Sequence, residues 1–303
     1  MSDRGPPSDP VRVAAPGKLN LGLRVAALRG DGHHEIDTLF VTVSEADRLT
    51  LERRDGSVDG VVRSAPGVAG GTVPARFADN LAARAASAWL DAAGARGGVW
   101  IELEKRLPVA AGLGGGSSDA GAVLRAMARL APADVDAAAL AKRLGSDVPF
   151  FAAGLAAARG RGRGERLRAW PLPPRWLVLL NPGVPVAAGD AYRALGAFGP
   201  PIDWDAVTAA WRDGGAPPWR NDLQPGVLRA HPEVRRALDA LRAEGLTAPL
   251  LSGSGATCFG LAGDEAQARA TVQRLRSAWP NAWVRAVRAP AEPAEGEVAA
   301  EAR

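Results

Sequence analysis

The chain has almost no cysteine, histidine, lysine or tyrosine, and each shortage excludes something. Cys258 is the only cysteine in 303 residues. A single thiol rules out an internal disulfide framework and a cysteine metal site. His33, His34 and His231 are the only histidines, too few for a zinc centre, so no dedicated metal site is expected. No apolar run approaches the length that spans a bilayer. The polar, proline-rich start from Met1 to Pro10 does not read as a signal peptide. The expectation is a cytoplasmic protein with no membrane partner.

Of 37 basic residues, only Lys18, Lys105 and Lys142 are lysines. The net charge is +4, and the arginines are dispersed except at Arg159, Arg161, Arg163, Arg166 and Arg168. That cluster reads as an exposed arginine–glycine loop, with polyanion binding as the alternative, and the lack of interleaved aromatics disfavours a nucleic-acid surface. Scarcity lends weight to the few lysines and to Tyr192, the lone tyrosine. Hydrophobic residues make up 47%, enough for a large core in one large or two ordinary domains.

The organising stretch runs from Pro108 through Val109, Ala110, Ala111, Gly112, Leu113, Gly114, Gly115 and Gly116 to Ser117 and Ser118. An alternating, strand-like run at 99–103 precedes it, and an alanine-rich, helix-like run at 120–130 follows. Glycines let the backbone turn sharply and clear side chains from a ligand's path. A glycine loop opening a helix aims free N–H groups at one point, where the helix dipole also favours an anion. The alternative is a tight turn with Ser118 as N-cap. The loop lacks the lysine of a P-loop and the last glycine of G-x-G-x-x-G, which disfavours both of those readings.

Along the chain, 11–14 and 19–25 read as strands separated by a Pro16-Gly17 break that carries Lys18. Strands follow at 38–43 and 49–53, then a loop with a weak strand over 58–73. Asp79-Asn80 marks a helix start for 81–92, and a second helix is expected over 134–144. Asp147 either caps a turn or faces a cleft. Pro171 to Pro174 reads as a linker. The second half reads as a strand at 176–180, helices at 190–195, 203–211 and 232–244, and strands at 249–251 and 257–261. A helix at 265–279 and a strand at 283–287 close an α+β sandwich with an antiparallel sheet.

Three separated segments, A-P-G-K-L-N-L (15–21), P-V-A-A-G-L-G-G-G-S-S (108–118) and L-S-G-S-G-A-T (251–257), together resemble the GHMP small-molecule kinases. Within them, K-L-N-L, D-G-H-H (31–34), G-L-G-G-G-S-S-D-A and G-S-D-V-P-F-F (145–151) look like the family that acts on 4-diphosphocytidyl-2-C-methyl-D-erythritol. The resemblance covers about residues 11–288. It implies an α+β, two-domain GHMP kinase fold. A ribosomal S5 domain 2-like N-terminal domain over 11–170 would carry the ATP site, and a ferredoxin-like α/β sandwich would span 171–288. Residues 1–10 and 289–303 would be disordered tails.

The resemblance also implies that ATP, with Mg2+, lies on the glycine loop and phosphorylates a methylerythritol hydroxyl in the non-mevalonate isoprenoid route. Lys18 and Asp147 would be the catalytic pair, although Lys18 also fits a solvated turn. Asn20 would line the substrate cleft. His33, His34 and Tyr192 would grip the cytidine, with His33 standing where the family has tyrosine. Tyr192 alternatively packs on its own helix. Asn80 and Lys105 match positions near the nucleotide base, each with a helix-cap or surface alternative. Gly253, Ser254 and Gly255 would close over the phosphates, or form a hairpin turn with no ligand. A monomer or weak homodimer is the expectation. The rival readings are another GHMP kinase acting on homoserine, mevalonate or a sugar, and a catalytically silent nucleotide-binding homologue.

Overall fold

The computed structural model describes residues 9–68, 74 and 76–291. Its first half is built on strands β1 (Val11–Leu28) and β2 (His34–Arg54), paired antiparallel along their length. The expected break at Pro16-Gly17 is not an end. The register shifts between Pro16 and Lys18 and the strand continues, so a bulge absorbs the proline and glycine. Strand β3 (Asp59–Ser64) follows, then a 3-10 turn over Phe77–Asp79 and helix α1 (Leu81–Ala93). Asn80 starts α1 by accepting the Ala82 N–H at 2.9 Å, as the sequence indicates.

Strand β4 (Gly98–Lys105) leads through the glycine loop into α2 (Gly115–Leu130). Helix α3 (Ala137–Leu144) begins three residues later than expected. The Asp136 side chain accepts the Ala139 N–H at 2.9 Å and sets the cap there. Helix α4 (Val148–Ala152) follows Asp147.

The arginine-rich segment is not a loop but a hairpin, β5 (Ala157–Gly162) with β6 (Arg166–Ala169). It carries no hydrophobic alternation, yet small residues alternate with arginines. A Cβ at Gly160 would meet the Phe40 ring at 2.5 Å, so glycine is what lets β5 lie on that ring. The first sheet has the order β3-β4-β2-β5-β6, with β1 on the other edge of β2.

The second half comprises β7 (Arg175–Asn181), α5 (Ala188–Arg193), α6 (Trp204–Asp213), α7 (Gln224–Ala230) and α8 (Pro232–Ala243). It ends with β8 (Thr247–Leu251), β9 (Cys258–Leu261), α9 (Glu265–Ala278) and β10 (Trp283–Ala289). Helix α7 had no clear signal: it is short, and Pro225-Gly226 falls in its first turn. The four strands are antiparallel in the order β10-β7-β9-β8, the ferredoxin-like arrangement expected. Residues 1–8 and 292–303 of the expected tails lie outside the described residues. Ala289 still belongs to β10, and the Ala291 N–H donates to Thr42 O at 3.2 Å.

One hydrophobic cluster crosses between the halves. Leu19, Leu21 and Leu39 from the first pack with Leu177, Leu179, Trp211, Phe259 and Trp283 from the second. Burial of this kind, at about 25 cal/mol per Å² of apolar surface, fixes the two sheets against each other. The cleft between them is therefore held by a packed core.

Candidate active site

Three segments meet in the cleft. β1 delivers Lys18 just after its bulge, and the Lys18 N–H donates to Leu113 O at 2.9 Å. That bond ties the glycine loop to the strand. The 252–257 turn between β8 and β9 is tied to the same loop. Ser252 Oγ donates to Gly112 O at 3.0 Å, and the Thr257 N–H donates to Ala111 O at 3.1 Å. Asn221 supports the turn from behind, its Nδ2 donating to Leu251 O and Gly253 O.

The loop glycines do different jobs. Gly112 has φ +75°, and a Cβ there would lie 2.1 Å from Ser252 O. Only glycine allows that close approach. A Cβ at Gly115 would point down toward Lys105 Nζ at 3.3 Å, whereas Gly116 is exposed, with only Leu81 Cδ1 near among the described residues, at 3.7 Å. Gly114 caps α2, and the first helical bond runs from Ser118 N–H to Gly114 O at 2.8 Å. The N–H groups of Gly115, Gly116 and Ser117 thus have no intrahelical acceptor. They form an anion cradle reinforced by the dipole of α2.

Lys18 Nζ donates to Asn20 Oδ1 at 2.7 Å and stands 3.6 Å from Asp147 Oδ2. Asn20 Nδ2 in turn donates to Thr38 Oγ1 at 2.8 Å, which donates to Gly22 O at 2.6 Å. The amide is locked by this chain and orients the ammonium. Asp147 caps nothing with its side chain, so its carboxylate faces the cleft.

Beneath the loop lies a buried ion triad. Lys105 Nζ pairs with Asp47 Oδ2, and with Asp119 Oδ2 at 2.8 Å. Asp47 Oδ1 also accepts the N–H groups of Arg106 and Leu107 at 2.5 and 2.8 Å. Asp119 Oδ1 is buried without a partner among the described residues. Burial pushes the Asp119 carboxyl up; Lys105 pulls it back and Asp47 pushes again, leaving it at about 7. Burial opposes the Lys105 charge, but Asp119 and Asp47 outweigh it and hold its pKa above the ordinary value.

At the far end, the His34 ring stacks on Tyr192 with centroids 4.7 Å apart and planes 18° off parallel. His33, its side chain 54% exposed, leans toward Asp31 at 3.5 Å. Burial, with the Asp147 charge, drives the Tyr192 phenol upward. A single cavity of about 1030 Å³ joins the cradle, the Lys18–Asp147 pair and the His34–Tyr192 stack.

Most of the residues singled out in the sequence line that cavity. Lys18, Asn20, His33, His34, Asn80, Lys105, Asp147 and Tyr192 do, as do Gly253 and Ser254. So do Pro108, Val109, Ala110, Ala111, Gly112, Gly114, Gly115, Gly116 and Ser117. Leu113, Ser118 and Gly255 do not: Leu113 is fully buried, and the Ser118 hydroxyl donates to Pro16 O at 2.7 Å. Asp47, Thr38 and Asn221 escaped the sequence reading, because each acts through contacts distant in the chain. Asp119 was in view within G-S-S-D-A, but nothing local shows that Lys105 lies against it.

Two family models match the sequence, the GHMP kinases N terminal domain over residues 80–155 and the GHMP kinases C terminal domain over 206–281. A homoserine kinase structure from Cytophaga hutchinsonii shares the fold, with TM-score 0.67 at 18% identity, covering 94% of this chain and 96% of that one. Fold and cradle together define a kinase of the GHMP class. More particular are two relatives, both called 4-diphosphocytidyl-2-C-methyl-D-erythritol kinase. That of Deinococcus radiodurans is 48% identical, covering 90% of this chain and 91% of the relative. That of Thermus thermophilus is 46% identical, covering 89% and 94%. A crystal structure of a 4-(cytidine 5'-diphospho)-2C-methyl-D-erythritol kinase superposes with TM-score 0.79 at 44% identity, covering 91% of this chain and 99% of that one. This chain belongs to the 4-diphosphocytidyl-2-C-methyl-D-erythritol kinase family.

Proposed function

We propose that the protein transfers the γ-phosphoryl group of ATP to the 2-hydroxyl of 4-diphosphocytidyl-2-C-methyl-D-erythritol, giving the 2-phosphate and ADP, in non-mevalonate isoprenoid supply. The observation that carries this reading is the placement of Lys18 and Asp147 in one cavity between an anion cradle and a stacked aromatic pair.

The parts divide the work. Amides at the start of α2 hold the nucleotide phosphates. Asp147 accepts the proton of the attacking alcohol. Lys18, aimed by Asn20, steadies the charge that builds on the alkoxide and the transferring group. Phosphoryl transfer demands chiefly positioning and charge stabilisation, so this small set suffices. His34 and Tyr192 supply the flat surface that a pyrimidine needs.

Among the described residues, no three His, Cys, Asp or Glu side chains cluster to form a metal cage. The site nonetheless fits a magnesium ion carried on the phosphates. Ser117 lines the cavity with its hydroxyl unpartnered among the described residues, whereas the Ser118 hydroxyl is committed to Pro16. Ser117 would hold the ion together with phosphate oxygens, and the ion would neutralise phosphate charge.

Among the described residues, no helix is long and apolar enough to cross a membrane. A cytoplasmic location follows from the reading, since an ATP-consuming biosynthetic step works where ATP is made available. The test is a coupled ATP-consumption assay with diphosphocytidyl-methylerythritol, mevalonate, homoserine and galactose as acceptors. Turnover should be confined to the first. Preference for any other would overturn the assignment.

A further inference from the structure

The arginine-rich hairpin has a charge inventory that leaves one member over. Its acidic neighbours are Asp31, Glu35, Asp37 and, in the turn itself, Glu165, whose carboxylate accepts the Arg163 backbone N–H and stands within ion-pair distance of no arginine side chain among the described residues. Asp31 is engaged by Arg29 and by the His33 N–H. Glu35 is taken by Arg29 at 2.7 Å, by Arg166 and by the Gly162 N–H. Asp37 is gripped by Arg159 through two bonds, at 2.8 and 2.7 Å, with Arg161 at 4.0 Å. Burial alone would raise the Asp37 carboxyl, but these arginines hold it below the usual range. Arg168 lies over the Trp170 ring at 5.7 Å.

Arg163 is different. Its backbone N–H donates to Glu165 at 2.6 Å, but its guanidinium has no acceptor or ring among the described residues. It is also the only one of the five that lines the cavity.

Its place is fixed by the sheet. Ile36 pairs with Gly162 in the β2–β5 ladder, so Arg163 follows at the end of β5 nearest His34. Arg163, a half-buried residue, therefore belongs to the His34–Tyr192 end of the cavity, away from the cradle. A guanidinium left unpaired at the rim of a ligand cavity is matched by a doubly charged, fork-shaped acceptor.

We propose that Arg163 binds the diphosphate bridge of a cytidyl substrate and so selects a nucleoside diphosphate ester over an uncharged nucleoside. The proposal rests on the cytidyl reading above. It adds a charge-recognition residue to the end of the site that carries the stacked His34 and Tyr192 rings. Arg193 also borders the cavity, but it is highly exposed and already paired with Asp190, so it serves as the comparison.

The test is calorimetric titration of CDP and of cytidine, with the ATP site filled by a non-hydrolysable ATP analogue. The proteins are wild type, Arg163→Met, Arg163→Lys and Arg193→Met. Arg163→Met keeps the aliphatic stem and should raise the Kd for CDP about tenfold, the scale of one lost charge-assisted bond. The Kd for cytidine should not move. Arg163→Lys should fall between, keeping the charge without the fork. Equal weakening of CDP and cytidine by Arg163→Met would make the residue structural and overturn the proposal. So would unchanged CDP binding beside a wild type that binds CDP, or the same loss in Arg193→Met alone. A wild type that bound neither ligand would overturn the cytidyl reading itself, and the proposal with it.

Discussion

Lys18 Nζ lies 2.7 Å from Asn20 Oδ1 but 3.6 Å from Asp147 Oδ2. The first is a hydrogen bond and the second is too long for one. Lys18 is thus anchored by a neutral amide, and the carboxylate stays beside it as an ion partner without a hydrogen bond from it. Asp147→Asn changes charge with little change of volume at a residue that makes no cap bond. It should lower kcat by about a hundredfold or more, the scale of a lost general base, while Tm and ATP affinity hold. Near-normal turnover would remove Asp147 from the chemistry. Lys18→Met should lower kcat alike. Loss confined to ATP affinity would instead make Lys18 a nucleotide ligand.

The glycine loop allows a cleaner separation. Gly112→Ala would force a methyl to within 2.1 Å of Ser252 O at φ +75°, so it should destabilise the protein and lower Tm. Gly116→Val adds its side chain beside Leu81, with no other atom of the described residues within 4 Å. It should leave Tm within a few degrees while weakening ATP about tenfold or more, because the branched group stands where phosphate approaches the amides. Thermal melts and ATP titration of both variants check this. Unchanged ATP affinity in Gly116→Val would reduce the cradle to a structural turn.

Gly115 shows where sequence reasoning stops. Three glycines in a row announce a ligand loop, yet the sequence does not say which one faces the ligand. The structure aims Gly115 at the buried triad and leaves Gly116 exposed. Lys18 was legible as a rare lysine, but the bulge that keeps it inside a strand was not, because Pro-Gly normally ends one. The β5–β6 hairpin was invisible, since its glycines pack by absence of side chain and leave no hydrophobic pattern. The Asp47–Lys105–Asp119 triad depends on three elements meeting, which no local window contains.

That triad sets a pH dependence. The Asp119 pKa of about 7 lies above its ordinary 3.8. The folded protein then binds more protons than the unfolded chain between those values, so this contribution to stability is full below about pH 4 and is lost as pH rises through 7. Asp119→Asn should remove that decline. The Tm of wild type, relative to the variant, should fall between pH 5 and 8. Parallel curves would show that Asp119 does not titrate there. Lys105→Met removes the one cation of the triad from beside Asp47 and Asp119 and should cost about 3–5 kcal/mol. A stable Lys105→Met that had merely lost ATP would contradict the triad.

The cytidine end yields the last prediction. The His34 and Tyr192 rings are in contact at 4.7 Å, a separation at which two rings stack directly on each other. A third ring between them needs roughly 7 Å, so a cytosine held by Tyr192 either parts the pair or stacks on the outer face of Tyr192. Both of these routes use the Tyr192 ring and neither needs its hydroxyl. Tyr192→Phe should therefore keep the KM for the cytidyl substrate near wild type. Tyr192→Ala should raise it about tenfold, since one aromatic stack on a base contributes roughly 1–3 kcal/mol. The KM for ATP should hold in both, because the phosphate cradle lies at the other end of the cavity. Steady-state titration of each substrate against each variant separates the cases. If Tyr192→Ala raised both constants together, the ring would be packing α5 in place, and the base would have to be sought along the wall that carries Leu28 and His33.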